Sequence, residues 1–157
     1  MMKKLSAIIN ETTSYVVIAA FIVMLLLVFT NVVLRALFSA GLTFSDEIAR
    51  YAFVWCTFLG AVIAMQENAH IGITGIRAYL PDRLHPALDA LVNLLQLVIA
   101  FIVLAGSAQF MIANLGTRAP FTGAPIAISQ ASIVTGAAGL LMVFAARLLV
   151  ALGRMVR

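Results

Sequence analysis

Phe44-Ser45-Asp46-Glu47-Ile48-Ala49-Arg50-Tyr51, continuing through Trp55 and Gly60-Ala61 to Gln66-Glu67-Asn68-Ala69-His70-Ile71, decides how this chain is read. From Ala52 to Met65 the stretch carries no charge, whereas both ends are dense in charged and polar groups. Ser45 is a candidate N-cap, and Asp46 and Glu47 fall in the first turn, where negative charge suits the helix dipole. The strict capping box is not met, because position 48 is isoleucine. Residues 45–66 are long enough to cross a bilayer as a helix, which takes about 20 residues.

Composition supports a membrane setting. Of 157 residues, 64% are apolar and 10% charged, with a mean hydropathy of +1.11. Soluble domains carry about 45–50% apolar and about 25% charged residues. This chain has too little polar surface to coat a water-facing globule and ample surface to face lipid. The ten basic residues behind the net charge of +4 are scattered at the ends of apolar runs, not gathered into a patch, which excludes a nucleic-acid surface. Cys56 is the one cysteine, so neither a disulfide framework nor a cysteine metal pair is available.

Three further apolar runs flank the opening stretch. The first spans about 14–38, after Lys3, Lys4 and Glu11. Its uncharged part, Tyr15 to Leu34, exceeds the roughly 7–15 residues of a signal-peptide core and reads as an uncleaved membrane helix. The third covers about 86–115, opened by Pro86, and is long enough to require tilt or protrusion. After a turn-rich break from Gly116 to Pro125, the fourth covers about 126–149. The expected fold is one all-α integral membrane domain, 1–157, with four transmembrane helices. In the second loop, Ile73, Ile76 and Leu80 recur beside Arg77, the pattern of a short interfacial helix. Lys3, Lys4, Arg77, Arg83, Arg147, Arg154 and Arg157 share one side of such a topology, so the positive-inside rule places both termini in the cytoplasm.

The polar residues near the span ends are the candidate functional groups. Asn31 and Arg35, four apart, share a face of the first helix. Across a short connection come Asp46, Glu47 and Arg50. An ion-pair cluster of Arg35, Glu47 and Arg50 would join the outer ends of the first two helices; the alternative is that all three point to headgroups. Trp55 lies too deep to be an interfacial anchor like Tyr51, so it is expected to pack against another helix. Gly60 with Ala64, and Ser132 with Gly136 and Gly139, form small-residue patterns that allow close helix approach. Asn93, Gln96 and Gln130 suit interhelical hydrogen bonds, and His70 suits a structural or headgroup contact. No phosphate-cradling loop, metal-spaced His/Cys set or catalytic triad is present, and no cofactor is expected in this chain.

Asn31 with Arg35, Ser45-Asp46-Glu47-x-x-Arg50-Tyr51, Val54-Trp55, Phe58-Leu59-Gly60-Ala61 and His70-Ile71, set on four spans, resemble the small membrane subunit (DctQ-like, Q component) of tripartite ATP-independent periplasmic (TRAP) transporters. The resemblance covers nearly the whole chain. It implies a non-enzymatic scaffold and anchor in the bacterial inner membrane, lipid-embedded beside a large multi-span subunit that carries the substrate and sodium sites. It also implies a periplasmic substrate-binding protein that delivers an organic anion. The cluster Asn31, Arg35, Asp46, Glu47, Arg50, Tyr51, Trp55, Gly60, Ala61 and His70 would then serve helix packing and subunit contact. Two departures from many relatives are Ile71-Gly72-Ile73-Thr74 in place of an acidic residue after the histidine, and Pro125-Ile126-Ala127-Ile128 in place of an early aromatic.

Two other classes fit a chain of this size. A homodimeric multidrug exporter needs an ionisable residue deep in a span, yet every carboxylate here lies near a span end. A haem anchor needs ligands within the apolar core, whereas His70 and His85 lie outside it; a quinone anchor subunit stays open.

Overall fold

Backbone polar groups find no water inside a bilayer, so an apolar chain of this kind satisfies them within helices. The computed structural model describes residues 2–39, 41–66, 81 and 84–155, and it contains four long helices. They are α1 (Met2–Phe38), α2 (Thr43–Gln66), α3 (His85–Ala113) and α4 (Ala127–Met155). All four contain a segment apolar enough to cross a membrane: Glu11–Phe38, Thr43–Gln66, Ala87–Ala113 and Ala127–Gly153. The second span thus begins two residues before the expected Ser45. The second-loop helix expected around Ile73 to Leu80, and His70, lie outside the described residues.

Local sequence explains the helix ends. α1 contains neither Gly nor Pro and stops where Ser39 adopts a left-handed φ of 52° ahead of Gly41. α3 opens with proline in its first turn, where the missing N–H costs nothing. It closes at Asn114, whose side-chain Nδ2 donates to the Phe110 carbonyl at 2.8 Å. Between α3 and α4 the chain makes a small hairpin. Ala119 N–H donates to Ala124 O at 2.8 Å, Ile126 N–H to Thr117 O at 3.1 Å, and Gly123 takes the positive φ of 68° that the turn requires.

The helices pack as a row: α1 on α2, α2 on α4, and α4 on α3. α2 and α4 run parallel, since contacts climb both together from Phe58 with Gly136, through Val62 with Gly139, to Met65 with Arg147. A Cβ on Gly136 would stand 2.6 Å from the Phe58 Cβ, and one on Gly139 would stand 2.9 Å from Val62 Cγ2, so both glycines set the closeness of this seam. Gly60 does not, because nothing lies within 4 Å of where its Cβ would be. Met65 reaches the α3–α4 pair in an apolar cluster with Ala100 and Phe144. α1 sits at the edge of the row, with 6% of its apolar window buried inside the chain. Its outward Phe21, Leu26 and Phe29 are exposed and require lipid or another protein as cover.

Candidate functional site

The α1–α2 hairpin turns within four residues, so the end of α1 and the start of α2 lie side by side. Asn31, buried one turn before Arg35, accepts from the Leu42 N–H at 2.8 Å and donates to Asp46 Oδ1 at 2.8 Å. Both ends of one amide are therefore used, one to hold the turn and one to aim a carboxylate. Gly41 makes this fit possible, because a Cβ there would meet Arg35 Nε at 3.3 Å and Asn31 Oδ1 at 3.4 Å. Ser45 is fully buried and donates to the Leu27 carbonyl of α1 at 3.0 Å. It is not the expected N-cap: the helix has already begun at Thr43, so its hydroxyl is free to cross-link the two helices.

Arg35 pairs with Asp46, not with Glu47. Its Nη2 lies 4.0 Å from Asp46 Oδ2, and both side chains are exposed, a geometry that contributes little on its own. Glu47 points the other way and is 8% exposed. Its Oε1 accepts from the Phe121 N–H at 3.0 Å and its Oε2 from the Thr122 N–H at 2.8 Å, so the carboxylate holds the tip of the α3–α4 hairpin. Adjacent residues on a helix differ by about 100° in direction. That rotation sends Asp46 to α1 and Glu47 to the hairpin. Arg50 is exposed, one turn further on, and lines with Arg35, Asp46 and Phe121 a hollow of about 290 Å³.

The remaining expected residues divide between packing and open faces. Trp55 Nε1 donates to the Ile128 carbonyl of α4 at 3.2 Å, which places it between helices. Tyr51 is half-buried, and its hydroxyl has no hydrogen-bond partner among the described residues. Gly60 and Ala61 are half-buried, with Gly60 facing open space. Asn93 bonds within its own helix, to the Asp89 carbonyl at 2.7 Å, rather than across to a neighbour. Gln130 is buried, with Oε1 unpartnered among the described residues.

At the other end of the α2–α4 seam, Arg147 of α4 donates to the Met65 carbonyl in the last turn of α2, with Met65 Sδ 3.7 Å from Nη1. The last carbonyls of a helix lack intrahelical donors, and a cation suits the dipole there. In the sequence Arg147 reads as a topology charge and the 117–126 hairpin as a plain turn. The partners in these contacts lie 74 to 82 residues apart, and no local spacing reveals them.

A swap tests the Asn31 linkage. Asn31→Leu is expected to cost about 2–3 kcal/mol, since it leaves a buried N–H and a carboxylate oxygen unmet. Asn31→Asp combined with Asp46→Asn restores donor and acceptor in exchanged positions. It is expected to regain most of the thermal stability in detergent; no recovery would show that the pair is incidental.

The family of tripartite ATP-independent periplasmic transporters, DctQ component, matches residues 24–154 of this chain. A Haemophilus influenzae protein assigned as a TRAP transporter small permease is 36% identical over 138 residues, which is 87% of this chain and 85% of that protein. A second protein of the same organism and assignment is 28% identical over 120 residues, 76% of this chain and 73% of its own length. The chain belongs to the DctQ family, as a small permease subunit of a TRAP transporter and a multi-pass protein of the bacterial inner membrane.

Proposed function

We propose that this subunit is a rigid scaffold and membrane anchor for a separate large membrane subunit, which binds substrate and sodium and imports an organic anion delivered by a periplasmic binding protein. The observation that carries the scaffold reading is the use made of the buried polar groups. Asn31, Ser45 and Glu47 are each engaged in holding one part of this chain to another. The exposed charges Arg35, Asp46 and Arg50 stand near helix ends, whereas secondary transporters hold substrate near the bilayer midplane. Substrate and sodium therefore belong to the partner, and this chain needs no cofactor of its own. The positive-inside bias puts both termini in the cytoplasm, which turns the hairpin cluster toward the periplasm and within reach of the binding protein. The exposed apolar faces of α1 and α3 are the surfaces that lipid and the large subunit would cover.

The test is purification of the tagged chain from its own cells in mild detergent, with organic-acid uptake measured in vesicles from a deletion strain. The large subunit is expected to copurify, and sodium-driven uptake is expected to fall to background without this chain. Recovery of the chain alone, with uptake intact in the deletion strain, would overturn the proposal.

A further inference from the structure

The seam between α1 and α2 opens on one side into a groove that is charged at its mouth and apolar along its walls. Two adjoining hollows of about 350 and 320 Å³ share Val28 and Asp46. Val32 lines the first and Phe53 the second, and all three apolar side chains are exposed. At the mouth, Arg35 and Arg50 line one hollow together with Asp46. Glu47 lines the same hollow and keeps its charge, so two guanidiniums face two carboxylates there; but Glu47 is buried with both oxygens taken by hairpin amides, which leaves the two guanidiniums as exposed hydrogen-bond donors at the mouth. The Arg35–Asp46 contact is long and open, which leaves the Arg35 guanidinium donors to offer.

We propose that this groove binds one glycerophospholipid, with its phosphodiester held by Arg35 and Arg50 and an acyl chain laid along Val28, Val32 and Phe53. Three features select this occupant. Guanidiniums match phosphate oxygens in paired hydrogen bonds, and those of Arg35 and Arg50 are exposed at the mouth. The arginines sit near the paired ends of two membrane helices, the depth of a headgroup. The groove then continues as an apolar channel toward the hydrocarbon, which a small anion would not use. The inference concerns this chain alone and does not depend on the transport reading. A bound lipid would fill the open side of the α1–α2 seam and brace α1, an edge helix with 6% of its apolar window buried inside the chain.

The test is native mass spectrometry of the full chain after extended detergent washing, titrated with dioleoyl phosphatidylglycerol, dioleoyl phosphatidylethanolamine or dioleoylglycerol. One phospholipid per chain is expected to be retained, with dioleoylglycerol at least about tenfold weaker, the factor for losing one charge-assisted hydrogen bond. The double variant Arg35→Gln/Arg50→Gln is expected to lose phospholipid by at least the same factor, while Arg154→Gln, in the last turns of α4, retains it. Trp55 fluorescence reports whether the double variant is folded, and the comparison of lipids on the unaltered chain stands without it. Equal retention of dioleoylglycerol, or displacement of phospholipid by inorganic phosphate, would overturn the proposal. So would crosslinking of a photoreactive residue at Val32 to the large subunit with no phospholipid retained in the complex.

Discussion

Glu47→Ala is expected to free the hairpin between α3 and α4 and expose the Arg118–Ala119 bond to trypsin. In the intact protein that bond is shielded twice: Ala119 is buried, and Arg118 donates from Nη1 to the Gly123 carbonyl at 3.1 Å. The hairpin tip is tied to the helices by the two hydrogen bonds that Glu47 accepts. Hydrogen bonds to a charged group contribute about 1.5–3 kcal/mol each, and the hairpin amides regain some of this from water once released. A net loss of roughly 3 kcal/mol corresponds to roughly a hundredfold faster cleavage where opening precedes cutting. Glu47→Gln separates charge from geometry. Its amide keeps one acceptor oxygen and presents NH2 to the other hairpin amide, so cleavage is expected to rise by roughly tenfold, between the parent and the alanine variant. Glu47→Asp keeps the charge but is one methylene short of spanning both amides. Cleavage of Glu47→Ala at the parental rate would show that the hairpin is held by something other than this carboxylate.

The four spans were legible because length and hydropathy alone determine them. A run of about 20 apolar residues has few alternatives to a membrane helix. The hairpin cluster was legible in part. Four-residue spacing put Asn31 and Arg35 on one face, and a short connection had to bring that face to the start of α2. Choosing between Asp46 and Glu47 as the partner of Arg35 needed the rotation of α2 about its axis. That rotation is set by the seam with α4, through residues near 58, 62, 136 and 139 that lie far away in sequence. The same dependence hid the role of Ser45, which resembles a cap by type and becomes a cross-link because the helix starts at Thr43. Small-residue patterns show where helices are able to approach, not which helix does so. The patterns holding Gly60 and Gly136 are alike, yet the first faces open space and the second a phenylalanine.

Gly136→Ala is expected to destabilise the protein in a way that shrinking its neighbour does not repair, whereas Gly139→Ala is expected to be repairable. An alanine at 136 would place its Cβ 2.6 Å from the Cβ of Phe58, an atom fixed to the α2 backbone. No rotamer change relieves that clash, so the helices must separate, at a cost of about 1–3 kcal/mol for overpacking plus the dispersion attraction forfeited along the seam. Phe58→Ala keeps the offending Cβ, so the double variant stays destabilised and also lacks the ring. At Gly139 the close atoms are Val62 Cγ2 at 2.9 Å and Cγ1 at 3.2 Å, with Cβ at an ordinary 3.7 Å. Val62→Ala removes both γ carbons and leaves room, so Gly139→Ala/Val62→Ala should regain most of the stability lost by Gly139→Ala. Thermal denaturation in detergent measures the cost. The fluorescence of Trp55, the one tryptophan in the chain, reports the seam directly, because its Nε1 bonds to the Ile128 carbonyl across it. Full rescue of Gly136→Ala by Phe58→Ala, with unchanged Trp55 emission, would mean that α2 and α4 do not meet at the distance that makes Gly136 necessary.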